Sequence, residues 1–325
     1  MPAHDMNRRA LISLGGAAIV AGLATPAGAV GTEGPIGGEI LPLWPGLPPG
    51  SPERPPALSV IDHGTAGRID RVLTGIATPL LTIRRAARPN GMAALLMPGG
   101  GYVSEWIDNE GTSQADWLNA RGITAFILTY RLPAEGWRDR SLAPLQDAQR
   151  AMRLIRHHAA TYGVDPRRIV VIGFSAGGHL AGSIATRFAE PVYTPVDAAD
   201  GLSARPDYAG LIYPVISMEP GITHAGSRAA LIGGQADGAA TAHASVDRRV
   251  DGETPPCLMI HAADDNVVPV ENSLLMYQAM LARKRPAAMH LFETGGHGFG
   301  VKLPRSAPAA AWPELLLAQA RLHLG

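Results

Sequence analysis

The stretch IVVIGFSAGGHLAG (residues 169–182) sets a serine, Ser175, between a short apolar run and the start of a helical pattern, with Gly173 and Gly177 two positions away on either side. Glycine is unfavourable inside a strand or helix unless the backbone needs the room its missing Cβ leaves. Where a strand turns sharply into a helix at a serine, the residues two positions away on each side are pressed together, so both must lack bulk. The pattern G-x-S-x-G at a strand-to-helix junction is that of a nucleophile held on an elbow. The helix N-terminus then lies beneath the hydroxyl oxygen, where its dipole favours negative charge. A serine acting only as a helix cap would not need glycine on both sides, so Ser175 reads as a nucleophile.

A serine hydroxyl attacks poorly until a base takes its proton, and the oxyanion that forms needs donors. The run MAALLMP (92–98) ends in Gly99, Gly100 and Gly101, followed by Tyr102. Three consecutive glycines allow peptide N–H groups to turn toward a carbonyl oxygen, and a glycine loop after an early strand is the expected place for such a hole. Ala176, directly after the serine, supplies the other N–H. Among the 11 histidines, His297 stands alone in a glycine-flanked loop, ETGGHGFG, past the apparent last strand. His179 falls within the elbow helix and reads as a core residue, His157 and His158 belong to a long helix, and His261 ends a strand and fixes the loop beside it. For the acid, HAADDNVVP offers Asp264 and Asp265, which spacing alone does not separate. The chain order serine, aspartate, histidine is that of the α/β-hydrolases, and neither chymotrypsin nor subtilisin has it. Metal-ligand spacings and C-x-x-C pairs are lacking, so no metal and no cofactor are expected.

Around these residues the pattern alternates between short apolar runs and helices. Residues 68–87 offer two edge strands, and 92–98 and 123–130 two more. In 143–163, Leu145, Ala148, Met152, Ile155 and Ala159 recur at spacings of three and four, an amphipathic helix closed by Gly163. Further strand-length runs are YAGLIYPVI, CLMIHA and AMHLFE, with helices at 270–285 and at the C-terminus. Strands of about six residues alternating with helices argue an α/β fold, a mostly parallel sheet covered on both faces. Active sites in such sheets collect at the carboxyl ends of the strands.

With 28 basic and 28 acidic residues, the chain offers no charge for a polyanion, and nucleic acid is not an expected partner. A composition 46% hydrophobic and 17% charged is globular. Residues 1–29 carry a positive head with paired Arg8 and Arg9, an apolar stretch and the small-residue site Ala27-Gly28-Ala29. Those are the parts of a cleaved export signal, loosely twin-arginine in type. Periplasmic or secreted location and no stable membrane insertion after cleavage follow as expectations, with Met6 as an alternative start and a membrane anchor as the alternative reading. Residues 30–66 are dense in proline and glycine and read as an arm over the surface, leaving 67–325 as the hydrolase domain. The single cysteine, Cys257, excludes an intrachain disulfide and reads as a core thiol.

From about residue 91 to residue 312 the chain resembles the α/β-hydrolase esterases of the acetyl xylan esterase and feruloyl-esterase-like group, distant relatives of the prolyl oligopeptidase superfamily. The motifs that carry the likeness are PGGGY, YRLP, APLQDAQRAMRLIR, GVDPRRIVVIGFSAGGHLAG, SARPDYAGLIYPV, HAADDNVVPVENSLLMYQAML and GGHGFG. The resemblance implies that the acid is the aspartate four residues after the strand-ending histidine, Asp265, and that Gly100 and Gly101 join Ala176 as oxyanion donors. One departure is Met97-Pro98 before the glycines, where many relatives carry histidine. Removal of acetyl groups from acetylated sugars, xylan especially, without a metal is the activity implied, with acylated carbohydrate or another small ester as partner. Tyr102, Glu105 and Trp106 follow the glycine loop and are expected at the mouth of the site, where they could meet a sugar. Competing readings are an arylformamidase-like amidase or an exopeptidase with the same triad, and a non-catalytic carbohydrate-binding protein on the same scaffold. Export counts against the first, the lack of room for a further domain against the second, and the complete triad against the third.

Overall fold

The computed structural model describes residues 34–325. The export-signal reading for 1–29 lies outside the described residues. In chain order the strands are β1 (Glu39–Pro42), β2 (Ser59–Asp62), β3 (Arg71–Thr74), β4 (Leu80–Arg84), β5 (Gly91–Met97), β6 (Glu105–Trp106), β7 (Thr124–Thr129), β8 (Val164–Phe174), β9 (Tyr208–Ile212), β10 (Cys257–Ala262) and β11 (Ala287–Phe292). The helices are α1 (Ser113–Asn119), α2 (Ala143–His157), α3 (Ala176–Arg187), α4 (Ala225–Ile232), α5 (Gly238–Ala244), α6 (Glu271–Ala282) and α7 (Trp312–Leu324).

Eight strands make one sheet in the order β1-β4-β7-β5-β8-β9-β10-β11, parallel from β7 to β11 and antiparallel at the β1-β4-β7 end. Strands β5, β7 and β9 and the second half of β8, residues 169–174, are apolar and buried nearly throughout, which is why their sequences run hydrophobic instead of alternating. Helices flank the sheet: α2 packs on α3, and an ion pair of 2.6 Å ties Glu314 in α7 to Arg121 just after α1. This is the architecture of the α/β-hydrolase fold. The long amphipathic helix ends as expected, passing through a 3-10 turn into Gly163 at φ +65°. Cys257 is buried at the start of β10, and burial pushes its thiol up to about 12. Among the described residues no helix is long and apolar enough to cross a membrane.

Two segments differ from the sequence expectation. The Pro/Gly-rich arm contributes β1, which pairs antiparallel with β4 from Glu39↔Ile83 to Pro42↔Leu80 and buries Leu41, Leu43 and Trp44. Proline is tolerated there because an edge strand leaves one side of its backbone unpaired. Consequently β4 is not an edge strand, and β3 lies instead in a separate three-stranded sheet, β2-β3-β6. Helices α4 and α5, between β9 and β10, carry too little periodicity to be read from the sequence.

Candidate active site

Ser175 occupies the turn between β8 and α3 at φ +53°, ψ −117°, a region that bulky residues avoid. A Cβ on Gly173 would run into the Gly177 carbonyl, and one on Gly177 into the carbonyls of Met97 and Pro98. Both glycines are therefore required by backbone approach, Gly177 because β5 passes directly beside the elbow. Although Ser175 stands at the N-cap position of α3, its side chain caps nothing. Its hydroxyl instead lies 2.9 Å from Nε2 of His297.

The Nδ1 of His297 lies 2.7 Å from Oδ2 of Asp265. Burial alone would raise the pKa of Asp265. Hydrogen bonds from His261, His297 and the Val268 N–H outweigh that and hold the carboxyl well below the usual carboxylate range. An ionised carboxylate only accepts, so Nδ1 of His297 carries the proton and Nε2 is free to accept from the Ser175 hydroxyl. The other oxygen of Asp265 accepts the N–H groups of Val267 and Val268, both at 2.9 Å. His261 closes the arrangement from behind: Nε2 faces the Val268 carbonyl at 3.0 Å and Asp265 Oδ2 at 3.3 Å, and Nδ1 meets the Ser273 hydroxyl at 2.8 Å. Asp264 has a different task, accepting the Gly296 N–H at 2.8 Å and so tethering the histidine loop.

Gly100 and Gly101 follow β5 at φ +131° and +65°, and the Gly100 carbonyl is held by the N–H groups of Val103 and Ser104, both at 3.1 Å. A Cβ on Gly100 would strike the Ser104 carbonyl, so only glycine fits this turn. Among the described residues neither Gly100 nor Gly101 donates its own N–H to a protein acceptor. Gly100, Gly101, Ser175 and His297 line one cleft of about 500 Å³ together with Arg68, Trp106 and Lys302. Ala176 directly follows Ser175, buried at the first position of α3. Among the described residues no group of three or more His, Cys, Asp or Glu is placed to hold a metal ion.

This geometry agrees with the relatives the chain matches. The profile of the BD-FAE family matches residues 90–280. The chain belongs to the BD-FAE family. It is an α/β-hydrolase of the acetyl-xylan- and feruloyl-esterase-like group. Over 207 residues it is 38% identical to endo-1,4-beta-xylanase B of Butyrivibrio fibrisolvens, covering 64% of this chain and 32% of that protein. Over 216 residues it is 35% identical to the acetylxylan esterase of Xylanibacter ruminicola, covering 65% and 42%. The chain thus spans well under half the length of these two relatives. A solved structure, the acetyl ester-xyloside bifunctional hydrolase from Caldicellulosiruptor lactoaceticus, superposes with a TM-score of 0.69 at 32% identity, covering 84% of this chain and all of that one.

Two residues expected at the mouth of this BD-FAE site lie elsewhere. Glu105 and Trp106 form β6, and successive strand side chains point to opposite faces. Trp106 takes the outer face, 39% exposed and lining the cleft, which leaves Glu105 completely buried, its Oε1 accepting the Tyr130 N–H at 2.6 Å. Tyr102 also turns inward, because its φ of +62° carries the side chain under the loop, where it meets His179 on α3. Tyr102 and His179 line a second cavity of about 370 Å³ beside α5, not the cleft that holds Ser175.

Three residues that line or back the BD-FAE cleft were missed by the sequence reading: Glu110 and His224 line it, and Tyr213 is buried behind it. Glu110 lies in a π-helical turn, Asp108–Thr112, buried beneath the glycine loop. Tyr213 stands just past the carboxyl end of β9 with its ring 4.9 Å from the His297 ring. His224 caps α4 and lines the cleft, and burial pushes its pKa down. Position at a strand's carboxyl end was a usable signal for Tyr213; the other two have no periodic or motif signature.

Proposed function

We propose that this chain is a serine carboxylester hydrolase that releases short acyl groups, acetyl above all, from acetylated carbohydrate such as xylan. The observation that carries the reading is the continuous path from Asp265 through His297 to Ser175, opening on a cleft where, among the described residues, the Gly100 and Gly101 N–H groups meet no protein acceptor. In this mechanism His297 takes the Ser175 proton as the hydroxyl attacks the acyl carbonyl, and Asp265 steadies the resulting imidazolium. The tetrahedral oxyanion is held by the backbone N–H groups of Gly100, Gly101 and Ala176. His297 next protonates the departing sugar oxygen, which leaves as a hydroxyl, and an acyl-serine remains. A water deprotonated by the same imidazole attacks that ester, and the imidazolium returns the proton to the Ser175 oxygen as acetate leaves.

The sugar preference draws on the Xylanibacter ruminicola acetylxylan esterase and on the Caldicellulosiruptor lactoaceticus hydrolase, and on the exposed indole of Trp106, a surface on which a sugar ring can pack. With its Arg8-Arg9 head and small-residue site, the N-terminal stretch supports work in the periplasm or outside the cell. The test is a release assay on acetylated xylan, acetylated monosaccharides, feruloyl esters and formylkynurenine, with Ser175→Ala as control. Acetate release from the acetylated sugars, lost in the variant, is expected. Preferential cleavage of formylkynurenine would instead favour the amidase reading.

A further inference from the structure

We propose that Glu110 is a positioning residue of the hydrolytic site: its buried carboxylate clamps the glycine loop to the histidine loop through Tyr213 and sets a fixed negative charge behind His297. The inference rests on the reading of Ser175 as nucleophile and His297 as base.

The turn that carries Glu110 is π-helical, a rare conformation that recurs at functional sites. It is held from two sides. Asp108 accepts the Arg71 backbone N–H at 2.7 Å and its guanidinium at 2.9 and 2.6 Å, and the Asn109 amide donates to the Gly298 carbonyl at 2.7 Å. Glu110 itself points inward. Its Oε2 accepts the N–H of Gly99, the residue directly before the two free N–H groups, at 2.7 Å. A Cβ on Gly99 would stand only 2.9 Å from both that oxygen and the Cβ of Ser175, so the clamp works against the nucleophile itself. The other oxygen, Oε1, accepts the Tyr213 hydroxyl at 2.9 Å, and that hydroxyl in turn accepts the Gly300 N–H at 3.1 Å.

The bonds around the carboxyl suit an ionised group. The Gly99 N–H can only donate to Oε2, and with the Gly300 N–H on the Tyr213 oxygen the phenol proton is directed at Oε1. Two facing donors are the surroundings a carboxylate satisfies. The Tyr213 ring sits between the two ends of this link, tilted 60° to His297 with centroids 4.9 Å apart and edge-on to Phe299 at 4.6 Å. Tyr213 is itself held at φ +37°, a conformation that persists only where the surroundings over-determine it.

Such a carboxylate is costly to bury: among the described residues it has no ion-pair partner, and two neutral donors do not neutralise it. Burial pushes its pKa up, opposed by the hydrogen bonds from Gly99 and Tyr213 and by the nearby Lys302 ammonium. The titratable and charged groups around His297 are Asp265 with His261 behind it, Asp264 on the same loop, Tyr213 after β9, His224 before α4, Glu110, Lys302 with its partner Asp70, and Arg68 across the cleft. Asp265 holds Nδ1 directly. Glu110 adds a second negative charge that favours the imidazolium formed as Ser175 attacks.

Kinetics against pH with p-nitrophenyl acetate test this on the wild type, Glu110→Gln and Tyr213→Phe, with Ser175→Ala as control. Glu110→Gln keeps the shape and one acceptor oxygen but removes the charge. Its plateau kcat should fall about tenfold or more with KM within about twofold, as for a group acting in the transition state. The acid limb of its kcat/KM profile should move to lower pH, a displacement that a merely structural role would not produce. Tyr213→Phe, which loses one tether, should lower kcat by a smaller factor. An acid limb of Glu110→Gln coincident with wild type, or a kcat within about twofold of it, overturns the proposal. If Glu110→Gln does not fold by circular dichroism, Tyr213→Phe decides: reduced kcat at unchanged KM supports the clamp, and unchanged kcat overturns it. Failure of the underlying reading is distinct, since the wild type would then be inactive or Ser175→Ala active.

Discussion

The Tyr102 hydroxyl donates to Nδ1 of His179 at 2.8 Å, joining the residue that follows the glycine loop to the helix that begins at Ser175. The direction of the bond follows from the other ring nitrogen: Nε2 of His179 faces the Ala244 carbonyl at 2.8 Å and must carry the proton, which leaves Nδ1 to accept. Both residues are buried, so the tie requires a neutral imidazole.

Burial accordingly pushes the pKa of His179 from 6.5 down to about 4. A histidine whose folded pKa is lowered binds its proton first in the unfolded chain, so stability is lost as pH falls from the unfolded value toward the folded one. Between about pH 7 and about pH 5 this group should account for roughly 2 kcal/mol of lost stability. His179→Gln should start lower at neutral pH and lose less on acidification. Urea unfolding of both proteins at the two pH values checks this, and parallel losses would refute it.

Ser175→Ala should lower turnover by about 10⁶-fold if the three side chains act as a unit. The strained φ of +53° adds a second expectation. Ser175→Gly should be as inactive yet more stable than Ser175→Ala by about 1 kcal/mol, because glycine relieves the left-handed conformation that alanine retains. Melting temperatures of the two variants, together with residual esterase activity, decide both points.

Asp265→Asn should reduce kcat by about 10⁴-fold, because an amide at Oδ2 favours the wrong histidine tautomer. Asp264→Asn leaves that hydrogen bond intact and weakens only the Gly296 tether, so its loss should stay within about tenfold. Comparable losses in the two variants would mean that the imidazole is oriented differently.

Trp106→Ala should raise KM for acetylated xylo-oligosaccharides by about fivefold, the equivalent of roughly 1 kcal/mol of lost aromatic packing, and leave p-nitrophenyl acetate nearly unaffected. The indole is stacked on His63 with ring centroids 5.8 Å apart and remains partly open to the cleft. A matching loss on both substrates would assign Trp106 to the shape of the loop instead of to the sugar.

A chain-length series of p-nitrophenyl esters should favour acetyl over octanoyl by at least about tenfold in kcat/KM, or about 1.4 kcal/mol of transition-state binding. Octanoyl cleaved equally well would remove the short-acyl preference and leave the serine mechanism standing.

The elbow was legible because a sharp turn imposes a local rule: Gly173 and Gly177 are required by contacts within a few residues of Ser175 and by the strand beside it. The glycine loop and the histidine loop were legible for the same reason, each being a short segment whose composition suits one backbone path. Strand and helix order followed from periodicity outside the segment between β9 and β10, since apolar runs of strand length alternate with amphipathic helices over the rest of the domain. Periodicity could not place α4 and α5, nor β1, whose prolines hide an edge strand that only its partner β4 defines.

Which side chains face the cleft was decided by tertiary structure alone. Glu105 and Trp106 are neighbours in sequence, yet the pleat of β6 sends one into the core and the other to the substrate side, and the register against β3 chooses which. Asp264 and Asp265 have equal claim by spacing, and only the path of the loop after β10 brings Asp265 to the imidazole. Glu110 and Tyr213 stand 103 residues apart and meet only because β5 and β9 flank β8 in the folded sheet. Local patterns specify backbone shape because their causes are local. Side-chain partnerships across a sheet depend on strand order and register, which arise from the packing of the whole domain.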